Sequence, residues 1–218
     1  MNWSLLGVKV CLSLLRIGDE YMKKIIFATK NAGKVHELAQ MMEKYGLEVL
    51  SLLDLNYADE IAETGLTFEE NALIKARRVA LEYKTTVIAD DSGLAIDALN
   101  GAPGVYSARY AGDDCNDDAN MDKVLEELKD IPDNERSARF VCVLAIVDAN
   151  GKETVVRGTC EGGICHKKRG FGGFGYDPIF YLPQLGKTMA ELSKAEKNAL
   201  SHRGNAFKKL ESVLGEII

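Results

Sequence analysis

Two adjacent carboxylates at the end of a short apolar run are the residues of this chain that most clearly suggest chemistry. Residues 87–93 read V-I-A-D-D-S-G, and the β-branched start predicts a buried strand that ends at Asp90 and Asp91. Strand ends of this kind line the ligand crevice of α/β sheets, where paired acids are costly unless a cation neutralises them. We therefore expect a magnesium ion here. The alternative is that the two acids cap a turn through Asx-type hydrogen bonds.

A second run could receive a phosphate. Residues 29–34 read T-K-N-A-G-K and join a predicted strand, 25–29, to a predicted helix, so that free backbone N–H groups would face an anion. The run is not a Walker A loop, because its first glycine is missing and Val35 stands where Ser or Thr is required. The candidate phosphate-binding residues are Thr29, Lys30, Asn31, Ala32, Gly33 and Lys34. An ordinary strand-turn-helix connection with an exposed lysine is the alternative.

Glu63 could add a third oxygen to a metal site beside Asp91, since it lies on a polar loop just before a predicted helix. Magnesium is usually held by one or two carboxylates together with waters and substrate phosphates, so this sparse set of acids suits it better than calcium. Zinc would lack its nitrogen and sulfur ligands. Taken alone, Glu63 is a surface acid.

A glycine-rich run with two aromatic rings is the candidate for base recognition. Residues 172–178 read G-G-F-G-Y-D-P, and such a backbone can approach a flat ligand on which Phe174 or Tyr176 stacks. Lys197 and the pair His202 and Arg203 follow, and cationic donors at the O6 and N7 edge of a purine would favour a 6-oxo base. The alternatives are a tight turn with two core aromatics, a solvated lysine and a histidine that begins a helix.

The elements that must position these residues predict a mixed α/β fold. Strands are expected at 48–53, 87–90, 140–147 and 154–158, and the turn at 148–151 makes the last two an antiparallel hairpin. Thr67 and Glu70 form the pattern of a capping box that opens a helix reaching about Tyr83. Other helices are expected at 35–45, 116–129, 188–192 and 201–217.

Composition limits the classes of function. The 218 residues, 46% of them hydrophobic, can bury the core of one large domain or of two joined lobes. A formal net charge of −6 argues against binding duplex nucleic acid, which needs a basic face. Five cysteines without a C-x-x-C pair suggest the reducing cytoplasm. Residues 1–21 make a poor signal peptide, and their apolar stretch is too short to span a membrane. We expect them to be an extension that precedes a single domain, 22–218.

Taken together, the motifs resemble the inosine triphosphate pyrophosphatase family. They are T-x-N-x-G-K from Thr29, I-A-D-D-S-G-L from Ile88, G-A-P-G-V-Y-S-A-R-Y from Gly101, F-G-Y-D-P-I-F from Phe174 and S-H-R-G from Ser201. The likeness covers the chain in order from residue 23 to the last helix. One departure is Lys30, which stands where many members have glycine.

The resemblance implies hydrolysis of ITP, dITP and XTP to the monophosphate and pyrophosphate, with magnesium, by a homodimer. It implies an elongated two-lobed α/β protein with a central mixed sheet flanked by helices and its site in the cleft between the lobes. Asn31 and Lys34 would hold the triphosphate, and Glu63 and Asp91 the metal, with Asp91 also the proton acceptor. The nucleotide would be contacted by Ser92, Phe174, Gly175, Tyr176, Asp177, Lys197, His202 and Arg203.

Two other functions fit the residues less well. A Maf-type pyrophosphatase of similar architecture would act on other nucleotides, whereas Phe174, Lys197 and Arg203 suit a 6-oxo purine. A nucleotide-sensing module without catalysis would not need Asp91, Glu63 and Lys34 together.

Overall fold

The computed structural model describes residues 23–217, and within this range the strands form one seven-stranded mixed sheet. The strands are β1 (Lys23–Phe27), β2 (Leu47–Ser51), β3 (Val87–Ile96), β4 (Ser137–Val147), β5 (Glu153–Ile164), β6 (Phe180–Leu182) and β7 (Lys187–Thr188). Their order is β2-β1-β3-β4-β5-β6-β7, with β1 parallel to both neighbours and every later pair antiparallel. The predicted mixed sheet and the β4–β5 hairpin are confirmed.

Helices cover both faces of this sheet. They are α1 (Ala32–Met42), α2 (Phe68–Tyr83), α3 (Asp117–Glu127), α4 (Lys194–Leu200) and α5 (His202–Ile217). Helix α2 packs on one face of β3 and β4, α1 and α5 pack on the opposite face, and α3 joins the core around the distal half of the sheet. No helix between residues 23 and 217 is long and apolar enough to cross a membrane. The expectation for residues 1–21 lies outside the described residues, and the single domain stays a prediction.

The start of α2 follows the predicted capping box. The Thr67 hydroxyl accepts a hydrogen bond from the Glu70 N–H at 3.2 Å, and the Glu70 carboxylate accepts one from the Thr67 N–H at 3.2 Å. Phe68, Ala72 and Val79 are buried on one side of the helix, as the spacing predicts. This satisfied N-terminus fixes where α2 begins, and therefore where the segment carrying Glu63 ends.

The predicted end of the third strand at Asp90 and Asp91 is wrong, and so is the Asx-type cap. Strand β3 continues to Ile96 because β4 pairs with all ten of its residues, including both acids. Gly93 lets an adjacent 3₁₀ turn pack directly on the continued strand, since a Cβ there would lie 2.4 Å from the Ser107 hydroxyl. The parallel neighbour β1 stops at Phe27, opposite Ile88, so the two acids still lie just beyond the end of a parallel strand.

Other boundaries differ from the prediction in the second half of the chain. The hairpin strands are longer than predicted because their pairing runs without a break from Ser137 opposite Gly163 to Val147 opposite Glu153. The segment 188–192 holds the end of β7 and a single 3₁₀ turn, not a full helix. Helix α4 was not predicted, although Ser193 and Glu196 form a capping box at its start.

A glycine in β5 decides how closely α5 approaches the sheet. A Cβ at Gly158 would lie 2.2 Å from the backbone nitrogen of Ala206 and 2.3 Å from the carbonyl oxygen of His202. The helix backbone therefore rests directly on the strand at this residue, and the first turn of α5 is held in place by it.

Replacing Gly158 with Ala should lower the free energy of unfolding by about 1–3 kcal/mol, because the new methyl group meets helix backbone that has no side-chain freedom to move away. Gly163→Ala in the same strand is the matched control, since its nearest contact is the Arg136 carbonyl oxygen at 3.3 Å. Urea denaturation of both variants measures the difference, and equal losses of stability would contradict the close-approach argument.

Candidate active site

The predicted site residues meet in one cleft of about 630 Å³, a volume typical of small-molecule sites. The cleft lies where the end of β1, the middle of β3, the segment before α2 and the starts of α1 and α5 converge. Of the predicted residues it is lined by Thr29, Lys30, Asn31, Lys34, Glu63, Asp91, Ser92, Phe174, Gly175, Tyr176, Asp177, His202 and Arg203. Ala32 and Gly33 lie beside it in the first turn of α1, and Lys197 lies behind the Phe174 ring.

The phosphate-loop candidate forms the capped N-terminus of α1. The Asn31 side chain accepts the N–H of Lys34 at 3.1 Å, and the Thr29 hydroxyl accepts the N–H of Asn31 at 3.2 Å. The positive end of the helix dipole therefore faces the cleft. Lys34 is not an exposed lysine, as the alternative interpretation required, because it pairs with the fully buried carboxylate of Asp90.

Asp90 is saturated by protein groups. Its carboxylate pairs with Lys34, accepts the Ser92 hydroxyl and the Cys142 thiol, and lies 3.6 Å from the Arg203 guanidinium nitrogen Nε. Burial raises the pKa of Asp90, but the charges of Lys34 and Arg203 outweigh it and hold that pKa well below its ordinary value. Asp90 is therefore the shared counterion of two cleft cations, Lys34 and Arg203. None of its side chain is exposed to solvent.

Asp91 points to the opposite face of the sheet, as strand geometry demands for consecutive residues. There its Oδ1 lies 3.4 Å from the Lys75 ammonium of α2, which also contacts the Glu63 carboxylate at 3.1 Å. Its other oxygen, Oδ2, is buried without a hydrogen-bond partner among the described residues. Burial raises the pKa of Asp91 to about 6, against the lowering effect of Lys75.

The Asp91 and Glu63 carboxylates fit a divalent cation that prefers oxygen. The unpartnered Oδ2 of Asp91 leaves a ligand atom available, and the Glu63 side chain is 29% exposed toward the cleft. Among residues 23–217 no group of three or more His, Cys, Asp or Glu side chains could enclose a metal. The two carboxylates suit magnesium, which is commonly held by one or two carboxylates and completes its coordination with water and phosphate oxygens.

Two cations lie close to one aromatic ring of the site, that of Phe174. The Lys197 ammonium lies 4.6 Å and the Arg203 guanidinium carbon 5.1 Å from the centre of the Phe174 ring. Glu37 of α1 holds both cations, with contacts of 3.1 Å to Lys197 and 3.0 Å to Arg203. Asp177 also accepts from Lys197, at 2.8 Å. These contacts orient the donors that would read a base.

His202 begins α5, and its buried side chain forms part of the cleft wall. Its ring stacks on Phe140 at 4.8 Å between centroids, and its Nδ1 has no hydrogen-bond partner among the described residues. Burial, with the nearby charge of Arg203, holds the pKa of His202 well below its usual value. A neutral imidazole offers both a donor and an acceptor, so it can contact a polar edge without adding charge.

The glycine-rich loop is fastened at three places. Asp177 accepts the N–H of Phe174 at 3.0 Å, and Asp117 at the start of α3 accepts the N–H of Gly175 at 2.7 Å. The Tyr176 hydroxyl donates to the Ser107 carbonyl at 2.7 Å, and its ring belongs to the core. Tyr176 is therefore an anchor, as the alternative interpretation held, although it lines the cleft beside Phe174.

Sequence reasoning missed Lys75 and Glu37. Lys75 falls inside the buried stripe of α2, between Ala72 and Val79, and a lysine at such a position signals a buried partner. Glu37 lies three residues after Lys34 on α1, which places both on the same side of the helix. Neither signal identifies the residues that pair with Lys75 or Glu37, because those residues lie on other elements of the chain.

Comparisons with known proteins agree on one family. The family model described as the Ham1 family matches residues 25–213. The chain is 55% identical over 199 residues to a protein of Bacillus cereus named dITP/XTP pyrophosphatase, covering 90% of this chain and 97% of that one. A protein of Geobacillus kaustophilus with the same name is 55% identical over 197 residues, covering 90% and 97%.

Solved structures agree with the sequence relatives. The Ham1 protein of Staphylococcus aureus is 44% identical with a TM-score of 0.81, covering 89% of this chain and 99% of that one. A HAM1 protein from Coxiella burnetii is 44% identical with a TM-score of 0.82, covering 89% and 100%. The arrangement of the sheet and helices is therefore shared with these proteins.

Replacing each of the two adjacent acids with its neutral amide should change the stability of the protein in opposite directions. Asp90→Asn should destabilise the protein by about 3–5 kcal/mol, because it leaves Lys34 and Arg203 without their buried counterion. Asp91→Asn should stabilise it at pH 7 by about 1–3 kcal/mol, because burial disfavours the ionised Asp91 whose pKa is raised to about 6. This gain should shrink as the pH falls toward 4, where Asp91 is protonated in the folded protein.

Urea denaturation in EDTA buffer at pH 4, 5, 6 and 7 measures both changes. Destabilisation by both variants at pH 7, or a gain for Asp91→Asn that does not depend on pH, would contradict the opposite environments of the two carboxylates.

Proposed function

The chain belongs to the Ham1 family, and from that premise we propose that it hydrolyses noncanonical purine nucleoside triphosphates to the monophosphate and pyrophosphate. One observation carries the proposal: a single cleft joins the N-terminus of α1, the buried carboxylate of Asp91 and the cation-flanked ring of Phe174. These three parts match the phosphates, the reacting centre and the base of a nucleotide.

The base end of the cleft supports a 6-oxo purine as the substrate. Arg203 lines the cleft, and its donors, held by Glu37, would pair with the O6 and N7 acceptors of hypoxanthine or xanthine. Lys197 would add positive charge from behind the Phe174 ring. The amino group of adenine would face another donor and leave buried polar groups unpaired, which is costly. The names of the relatives, dITP/XTP pyrophosphatase, agree with this preference.

Hydrolysis between the α and β phosphates needs a water, a base and positive charge near the phosphate oxygens. The water oxygen would bond to the α phosphorus while the bond to the leaving pyrophosphate breaks, and Asp91 would accept the proton of the water. A carboxyl whose pKa is raised to about 6 is ionised at neutral pH and more basic than an ordinary aspartate. Lys34 and the first-turn amides of α1 would hold the phosphates.

Glu63 and Asp91 would hold a magnesium ion in this reaction. When bound, the ion offsets the negative charge of the triphosphate and of the departing pyrophosphate. Support for this assignment comes from the unpartnered Oδ2 of Asp91 and from the oxygen-only donor set.

The family resemblance also suggests a homodimer that acts in the cytoplasm on the pool of free nucleotides. Sedimentation of the purified protein at micromolar concentration would test the dimer.

A pyrophosphate-release assay over ITP, dITP, XTP, GTP, ATP and a pyrimidine triphosphate tests the proposed activity. We expect release from the first three that exceeds release from ATP by about tenfold or more, since the adenine amino group would face a donor and such a mismatch costs about 1–3 kcal/mol. We also expect the release to require a divalent cation. Preference for a pyrimidine or an ordinary purine would contradict the substrate, and binding without release would favour a sensing module.

Asp91→Asn is the control for that assay. The amide cannot accept a proton, so release should fall to background while circular dichroism shows an intact fold. Undiminished release would overturn the role of Asp91.

Replacing Arg203 should weaken base discrimination. Arg203→Ala removes a donor pair. The ratio of dITP to dATP hydrolysis should therefore fall by a factor that corresponds to about 1–3 kcal/mol. Since Arg203 also neutralises Asp90 and Glu37, Arg203→Lys is measured in parallel. It keeps the charge but not the planar fork, and the ratio should fall here too. An unchanged ratio in both folded variants would exclude Arg203 from base recognition.

A further inference from the structure

Lys75 occupies the space between the two carboxylates assigned to the metal. Its ammonium lies 3.1 Å from Glu63 Oε1 and 3.4 Å from Asp91 Oδ1, and only 10% of its side chain is exposed. The aliphatic part runs along the buried stripe of α2, with Ala72 and Val79 on the same side of the helix. The ammonium is therefore fixed at these two acids by packing as well as by charge.

The charges at this point leave little attraction for a second cation. Glu63 and Asp91 contribute two negative charges and Lys75 one positive charge, and Asp90 on the other face is neutralised by Lys34 and Arg203. A divalent ion that took Asp91 and Glu63 from Lys75 would leave a buried ammonium without its partners, which is strongly unfavourable. Two carboxylates are also few ligands for an ion that prefers six oxygens.

We infer that Lys75 acts as an internal counterion that keeps the metal site weak until a nucleotide arrives. The triphosphate brings both oxygen ligands and the negative charge that lets Lys75 and a divalent ion share the cleft. Metal and nucleotide then bind together, and the protein alone holds the ion poorly. This inference rests on the proposed function for the identity of the nucleotide, but its central statement concerns the nucleotide-free protein.

Binding of Mn²⁺ to the nucleotide-free protein tests the inference, with the unbound ion followed by electron paramagnetic resonance. Wild-type protein should bind Mn²⁺ weakly, and Lys75→Met, of similar length but neutral, should bind it about tenfold or more tightly, because a buried charge within 4 Å of the ligands is removed. Lys75→Arg keeps the charge and should bind as weakly as the wild type.

Lys34→Met is the matched control, since it also removes a cleft cation paired with an aspartate of β3. Lys34 makes no ion pair with Glu63 or Asp91, although its charge also lowers the pKa of Asp91, so the affinity for Mn²⁺ should rise several-fold less than in Lys75→Met. A gain equal to that of Lys75→Met would mean that only the overall potential of the cleft matters, and would overturn the inference.

A measurement on the wild type alone does not depend on any variant folding. Adding an α,β-methylene analogue of dITP should raise the affinity of the protein for Mn²⁺ by about tenfold or more, beyond the Mn²⁺ that the analogue binds without protein, and remove most of the difference from Lys75→Met. Tight Mn²⁺ binding by wild-type protein without nucleotide would overturn the inference. That failure is separable from a failure of the proposed function, because it leaves pyrophosphate release from dITP intact.

Discussion

The site depends on the fact that consecutive residues of a strand face opposite sides of the sheet. Asp90 and Asp91 are neighbours in β3, yet one lies beneath α1 and α5 and the other beneath α2. Three protein groups and a nearby guanidinium surround Asp90, which is ionised and inert. Asp91 shares one ammonium with Glu63 and keeps an unpartnered oxygen, so its carboxylate stays basic. Opposite environments for two adjacent acids suit one to be a counterion and the other to take the proposed role of proton acceptor.

The paired charges of the cleft explain how an acidic protein can accept a more acidic ligand. Lys34 and Arg203 share the buried Asp90, and Lys197 and Arg203 share the partly buried Glu37, so each cation is held in place by a carboxylate before any ligand arrives. Fixed donors lose little conformational entropy on binding, and their charges act in surroundings with little water. A phosphate or a base edge in the cleft would contact these fixed positive groups, so their positions matter more for binding than the overall charge of −6.

The predictions from sequence succeeded where the signal is local. The capping box at Thr67 and the hairpin after β4 depend on residues a few positions apart, and both are present. The end of β3 was misplaced because its continuation depends on pairing with β4, some fifty residues later. Lys75 and Glu37 were missed for the same reason, since the acids and cations that explain them lie on other elements. The assigned roles of the site residues stay predictions.

The fastening of the glycine-rich loop bears on how a base would be selected. Loops usually gain order when a ligand binds, which lowers affinity for every ligand alike. Here Asp117 and Asp177 hold successive backbone N–H groups of the loop, and Tyr176 is tied into the core. The Phe174 ring also packs against Gly33, where a Cβ would lie 3.3 Å from it. If this loop holds the base as proposed, a pocket ordered in advance cannot adapt its donors to the wrong base, and a mismatch would leave buried polar groups unpaired.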